Sequence, residues 1–501
     1  MKLTGLIGST VLCGLLSTTC AQAMTAAEVW QNWKDFATST GQTVTTASET
    51  MDGDTLVVSE VSFVSSDTEA EITIEIDEVR FMELDDGSVE VTMSPNYPIT
   101  IDGTGADGAE SAVELMVMQT NLRTVASGTP DNVSYTITSD SIAVTTVSVT
   151  ENGEAIPVNV AVTMNGAGGS YTMAPRSADL ADLTSTFNAT SLAIVVKADD
   201  QEIGSKVDLS ANIGAFATVM NGTFGAGLLE IENPAAAVAA GLAVDFGVTY
   251  GPLAYSLDVD ESGAPMKVQG KSDGGAFGFA LDKSKMAFKG GGKGVKLVAS
   301  GSEIPFPEVM IAYAESAFDF VVPVTKSPDT QNFTMVAKLI GLTVSEDIWA
   351  MIDPTASVPR DPATVIVETR GTARMDVDLL DETAMNSDIP PGTLQSLDIA
   401  ALQLTVGGAE FTGNGALTFD NTDLTTFDGM PAPTGKIDLK LVGGNGLLDT
   451  LIALGIIPED QVMAGRMMMG MFARPGDGPD TLTSTLEFKN KGFFANGMQL
   501  Q

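Results

Sequence analysis

After Gly41 the chain is written in twos. Ile72-Thr73-Ile74-Glu75-Ile76 alternates apolar and polar residues, Asp85-Asp86-Gly87-Ser88 supplies a turn, and Val89-Glu90-Val91-Thr92-Met93 answers it. Successive side chains of a strand point to opposite faces, so this period specifies a sheet with one apolar and one polar side. The pattern recurs at Tyr135–Thr138, Val158–Met164, Phe277–Leu281, Val295–Val298, Phe333–Leu339, Val365–Thr369, Met375–Leu379, Leu402–Val406, Leu417–Phe419, Ile437–Val442 and Leu482–Phe488. Gly, Asp and Asn punctuate it. Many short strands with frequent turns predict antiparallel pairing rather than βαβ units.

Helical spacing replaces the two-residue period at three places. Thr25 and Glu28 form a capping box, after which Val29, Trp30, Trp33, Phe36 and Ala37 mark one helical face that ends at Gly41. This helix either plugs one end of a β-core or docks on a membrane or partner. Pro234–Ala240 reads as a short helix opened by proline. Leu447–Leu454 and Glu459–Phe472 read as a C-terminal helical pair, the second carrying Met463, Met467, Met468, Met469 and Met471. Methionine is flexible core filler, but Met463, Met467, Met468 and Met471 also make a candidate face for variable apolar ligands. With no exact repeat and no low-complexity linker, residues 24–501 read as a single elongated β-rich unit. Any division into two sub-lobes would fall near 230–250.

The first 23 residues read as a cleavable signal peptide. Lys2 gives the positive start, Leu3 to Leu16 a short apolar run, and Ala21-Gln22-Ala23 a small-x-small cleavage site before Met24. The run is too short for a spanning helix. Cys20 has Ser17 and Thr19 where a lipoprotein signal needs a Leu-like and a small residue, so no acyl anchor is expected. The expected location is the periplasm, with the product not integral to the membrane. Cleavage removes Lys2, Cys13 and Cys20. The remaining 478 residues hold no cysteine, and 24 basic residues face 65 acidic ones, a net −41. Such charge repels nucleic acid and anionic lipid surfaces. Without disulfides, stability has to come from packing.

The chain contains no histidine. That removes Ser-His-Asp and Cys-His catalysis and histidine-ligated zinc, and the absence of mature cysteine removes thiol chemistry. Gly270-Lys271-Ser272-Asp273-Gly274 spells G-x-S-x-G without a base for its serine. The same glycine-lysine-serine end of a phosphate loop has Pro265 where the upstream glycine belongs. Asp258-Val259-Asp260-Glu261-Ser262-Gly263 starts like a calcium loop, but Gln269 stands where the bidentate glutamate is needed. No catalytic residue, metal or cofactor is therefore assigned, and the expectation is not an enzyme. Only general acid-base chemistry by two carboxylates stays open.

One basic island interrupts the acidic chain: Lys267, Lys271, Lys283, Lys285, Lys289, Lys293 and Lys296, opposed in that stretch by Asp273 and Asp282. Gly290-Gly291-Gly292 within it reads as a mobile loop between strands. The lysines either guard an edge strand or form a candidate contact for phosphate, lipid headgroups or an acidic partner.

Asp347-Ile348-Trp349, Asp353-Pro354 and Val358-Pro359-Arg360-Asp361-Pro362-Ala363-Thr364 resemble the signature of the bacterial exported domain-of-unknown-function family 2125. Leu397-Asp398-Ile399, Gly413-x-Gly415, Leu417–Asp420, Gly435–Leu441, Leu447–Ile457 and Phe493-Phe494-Ala495-Asn496-Gly497 fit the same pattern, as do Val29-Trp30 and Trp33. The resemblance implies an exported Gram-negative protein with no assigned activity. It is loosely similar to AsmA-like envelope proteins, whose long curved antiparallel sheets are associated with lipid transport or outer-membrane homeostasis. The implied fold class is mainly β, a long curved antiparallel sheet or sheets with an N-terminal helix and a C-terminal helical pair. The signature also has a plain physical reading. Two Asp-Pro steps favour turns, and Trp349, largely buried, would form a structural corner with Asp353, Arg360 and Asp361. The function that follows is a non-enzymatic envelope protein binding a lipid or other amphiphile in a β-lined groove. The alternative is a structural or assembly factor binding a protein partner, and a carboxylate-based hydrolase ranks below both. An outer-membrane barrel is not expected, because aromatics are only 6% and the chain ends in Gln501.

Overall fold

Alternating strands joined by tight turns pair most readily with their sequence neighbours, and most of the described strands do so, while others such as Ala243–Tyr250 with Gly274–Leu281 pair across a hairpin. The computed structural model describes residues 24–501 apart from 40, 67–69, 106–107, 131, 178–179, 201–203, 226–232, 382 and 384–389. The leader, with Cys13 and Cys20, lies outside the described residues. All strands join one antiparallel sheet of 28 segments. The strands are far longer than the sequence pattern indicates: Ala181–Asp200 and Ser205–Phe224 have 20 residues each. The sheet is continuous across 225–242, since Ser205–Phe224 pairs with both Ala243–Tyr250 and Leu253–Glu261. No pairing among the described residues joins the first strands, Thr43–Thr45 and Ser48–Asp52, to the last, Met498–Gln499. The accessible surface is 28845 Å². A compact monomer of 51.9 kDa would expose about 17,000 Å², so the chain is an open layer rather than a folded ball.

A line of irregularity crosses the sheet from strand to strand. Pairing is interrupted between Glu60 and Asp77, at Asn121–Leu122 opposite Ser139–Asp140, at Gly166, at Gly214–Ala215 opposite Gly251–Pro252, between Gly294 and Ala314, and at Gly341. Glu60, Asn121, Gly166, Gly294 and Gly341 have φ of 51, 52, 58, 58 and 71°. At each of them one residue is left-handed and the pairing resumes beyond it in the same register. The apolar positions change parity there. In Met286–Gly301 they are Leu297 on one side of Gly294 and Phe288 on the other. The side-chain period of a strand is two, so the left-handed residue marks where the parity changes while the apolar side chains stay on one face. The aligned interruptions form a crease that divides the sheet into two arms with a common apolar side.

Helix α1 (Ala26–Ser39) packs on that side at the N-terminal end. Its capping box forms as expected: the Glu28 N–H donates to Thr25 Oγ1 at 3.2 Å and the Thr25 N–H to Glu28 Oε2 at 2.8 Å. Trp30 is 1% exposed, with its ring centroid 5.6 Å from that of Phe81. It closes a core of Val58, Val79, Val91, Ala126 and Tyr135. The helix is the expected plug, but Phe36 points to solvent. Helix α2 (Pro234–Ala240) is capped by Asn233, whose side chain accepts from the Ala235 and Ala236 N–H groups. Helix α3 (Glu346–Ile352) follows the strand Gln331–Val344. Helices α4 (Gly444–Ala453) and α5 (Glu459–Phe472) form the predicted C-terminal pair.

Two expectations fail. Met375 ends the strand Ala363–Met375, and the strand expected over Met375–Leu379 does not form. Those residues leave the sheet, the Leu379 N–H donating to Val324 O at 2.8 Å, and Val377 and Val324 are buried. Gly290-Gly291-Gly292 is the middle of a strand, not a loop. A Cβ on Gly290 would lie 2.8 Å from the Phe318 ring, and one on Gly291 2.1 Å from the Ser316 carbonyl oxygen. The glycines make room for the neighbouring strand.

The plug generates a prediction. Truncating a buried Trp costs about 3–5 kcal/mol, so Trp30→Ala lowers the thermal midpoint by circular dichroism strongly, whereas Phe36→Ala leaves it near wild type. Equal midpoints for the two variants would mean that α1 does not anchor this end.

Candidate functional site

One ladder of directly opposed residues runs Val89, Ala126, Tyr135, Tyr171, Ser185, Met220, Phe246, Phe279, Phe288, Phe320, Met335. All of them stand on the apolar face. Under α1, Val89 and Ala126 are 0% exposed and Tyr135 is 3% exposed. At the other end Met335 is 50% exposed, and on the same face Phe277, Ile311 and Met266 are 42, 40 and 43% exposed. The face is the same; only the cover ends. Where α1 stops, no second layer among the described residues takes its place, and the side chains between are half-exposed.

The centre of the uncovered stretch is an aromatic floor. Phe279 and Phe288 sit 5.0 Å apart, Phe318 and Phe320 5.9 Å, and Phe277 and Phe318 6.5 Å between ring centroids. Across the crease the face continues as Val162, Ile194, Ala211, Tyr255, Gly270, Leu297 and Ile311. Among the described strands from Val158 to Val344, the acids at apolar-face positions are Asp200 and Glu261, both at strand ends opposite Ser205. The other charges are on the reverse, where Lys197, Asp208, Asp258 and Lys267 oppose one another in turn. Such a face offers dispersion contacts and a few hydroxyls. Those contacts suit an apolar chain.

The floor was absent from the sequence reading. Phe277/Phe279 and Phe318/Phe320, spaced by two around a glycine-rich strand, were the available signal. The four methionines proposed as a ligand face are elsewhere. Met463, Met467, Met468 and Met471 lie on the outward side of α5, 64, 71, 58 and 52% exposed. The lysine island is on the polar reverse. Lys267 pairs with Asp258 at 3.1 Å. Lys271 stands opposite Lys296, Lys293 opposite Glu315 and Lys289 opposite Asp319. Lys283 and Lys285 lie exposed in the following turn. Neighbouring strands therefore bring acids to the island that the linear sequence does not show. Asp258 and Asp260 lie in the strand Leu253–Glu261, and Ser262-Gly263 is a hairpin turn rather than a ligand loop.

The Asp-Pro corner sits past the end of Gln331–Val344, and its centre is Asp353 rather than Trp349. Trp349 is half-buried on α3, with the Arg360 guanidinium 4.5 Å from its ring centroid. Asp353 is 1% exposed. Its carboxylate accepts from the Val358 N–H at 2.7 Å, the Ser357 N–H at 3.0 Å, Thr355 Oγ1 at 3.0 Å and Arg360 Nη1 at 2.8 Å. Arg360 Nη2 also donates to Asp353 O, so one arginine fastens both ends of the turn. Asp361 stands exposed beside it. Burial alone would raise the Asp353 carboxyl. The two backbone N–H groups, Arg360 and Thr355 outweigh it and hold the group well below the usual carboxylate range.

The sign of the pH effect follows. A depressed carboxyl stabilises the fold above its unfolded value of about 3.9 and loses that contribution as pH falls through the lower folded value. The thermal midpoint is therefore expected to drop on acidification below about pH 4. Asp353→Asn should melt earlier than wild type at neutral pH and show a shallower acid limb. It should also cost more than Trp349→Ala, and the opposite order would return the centre of the corner to the tryptophan.

Residues 296–498 match the family described as an uncharacterized protein conserved in bacteria (DUF2125). The matched stretch holds the corner, Phe318 and Phe320 of the aromatic floor and the C-terminal helices, while Phe277, Phe279, Phe288 and the tryptophan helix α1 lie outside it. No curated protein and no solved structure matches the chain. Over residues 296–498 the chain thus carries the pattern of the uncharacterized bacterial family DUF2125.

Proposed function

We propose that the chain is an exported, non-enzymatic protein of the bacterial periplasm that holds the apolar part of a lipid or other amphiphile against the uncovered face of its sheet. The ladder from Val89 to Met335 carries this reading. The protein covers one end of it with a helix and leaves the rest half-exposed, although large exposed apolar patches are rare unless something binds them. An amphiphile supplies the missing layer. From the strand Val158–Pro175 to the strand Ala409–Asp420 there are ten steps of about 4.8 Å, or roughly 50 Å. An acyl chain of one leaflet spans about 15 Å, so the face has room for more than one. The −41 charge of the processed chain keeps such a surface soluble and copies apart.

Native mass spectrometry of protein purified from its own envelope tests this. The expected spectrum shows one or more co-purifying amphiphiles, lost by about tenfold or more when Phe277, Ile311 and Met335 are changed together to Gln. Repeated absence of any amphiphile from wild type, with a protein partner captured instead, would favour the assembly-factor reading.

A further inference from the structure

We propose that the outward face of α5 docks the protein on a lipid bilayer. A surface helix normally turns its apolar side inward, and α5 does the reverse. Val462 is 3% exposed, while Met463, Met467, Met468 and Met471 are all more than half exposed. Between Gln461 and Phe472 the single charge is Arg466, and it is turned in: its Nη2 donates to Asn445 O at 3.1 Å and to Asp449 Oδ1 at 2.6 Å on α4. Beyond the first turn, where Glu459 and Asp460 are exposed, the outward side is thus free of charge in a chain that carries 65 acidic residues.

The surroundings extend the patch. Ile456, just before α5, is 45% exposed, and Met351 and Ile352 on α3 are 62 and 52% exposed. The corner after α3 and helix α4 meet at Gly407, where a Cβ would lie 2.9 Å from Val358 and 3.0 Å from Leu447.

The composition of the patch selects its partner. Tight protein interfaces are anchored by Trp, Tyr and Arg in fitted pockets, and the outward face of α5 has none of them. Unbranched thioether side chains suit a fluid hydrocarbon instead. The 14 residues of α5 measure about 21 Å, too short to cross a core of about 30 Å, so the helix lies in the interface. With no exposed cation on the face and a large negative net charge, attachment is apolar and weakened by anionic lipid.

α5 also touches the sheet's apolar side. Phe472 O accepts from Ser484 Oγ, and Ser484 stands in the row of Phe318, Ala337, Val367, Leu402, Gly413 and Leu439. Docking through α5 therefore brings the C-terminal end of the apolar face to the bilayer. The docking stands on α5 itself; its use for exchanging amphiphile rests on the function proposed above.

Flotation of the whole processed chain with phosphatidylcholine vesicles, and with vesicles containing an added anionic lipid, is the test. Wild type is expected to bind phosphatidylcholine, to persist in high salt and to bind less as anionic lipid is added. Met463→Gln, Met467→Gln and Met471→Gln together should reduce binding by about tenfold or more, with an unchanged melting curve and unchanged amphiphile content by native mass spectrometry. Wild type that ignores both vesicles, a folded triple variant that binds as wild type does, or binding that needs anionic lipid and vanishes in salt would overturn the proposal. Docking without any retained amphiphile would sink the function proposed above and leave the docking standing.

Discussion

A sheet with apolar side chains along one face has to cover that face, and here the cover is partial. At the N-terminal end α1 takes Trp30, Val58 and Phe81 almost wholly out of water. At the C-terminal end α5 reaches the apolar side through Phe472 and Ser484. Between them the same rows of residues are half-exposed. Fully burying a side chain of the size of Phe or Leu contributes about 1.5–3 kcal/mol, and the middle strands forgo much of that. What holds them is the ladder itself: antiparallel strands, each paired on both sides with other strands of the sheet. The uncovered face is thus a reserve of unsatisfied apolar surface held in place by backbone hydrogen bonds.

The crease gives that surface its shape. A flat sheet of this extent would twist along its length. Left-handed residues at Glu60, Asn121, Gly166, Gly294 and Gly341 instead interrupt successive strands at one place while keeping their register. The charged residues remain on the reverse as opposed pairs such as Lys267 with Asp258. Exposed pairs of this kind contribute little to stability, but they keep the reverse wet and the two faces chemically distinct.

Much of the architecture was legible in the residues. Alternation gave the antiparallel sheet, the Thr25–Glu28 capping box gave α1, and proline and the helical period gave α2, α4 and α5. Strand length was not legible, because stretches such as Ala211 to Thr218 are built from small and polar residues with little periodic signal. The glycine run at 290–292 resembled a loop because sequence does not show that Phe318 of the next strand needs the space. At the corner the Asp-Pro steps were read correctly, but Asp353 rather than Trp349 is buried, since a carboxylate can collect four donors from a tight turn. The site itself was the least legible part. Alternation shows that a face is apolar; only the tertiary structure shows which part of it has a lid. The match over residues 296–498 to an uncharacterized bacterial family covers the corner with Phe318 and Phe320 and adds no chemistry to them.

The central claim is that the apolar face of the middle strands is open to an apolar ligand while the reverse is not. Residues 24–501 contain no cysteine, so single cysteines can be placed at will in that stretch. Met335 and Val336 are neighbours on one strand and point to opposite faces. An environment-sensitive fluorophore at Met335→Cys should shift to the blue on adding an amphiphile, and the same probe at Val336→Cys should not. Equal shifts at the two positions, or none at Met335→Cys in a folded protein, would contradict the account.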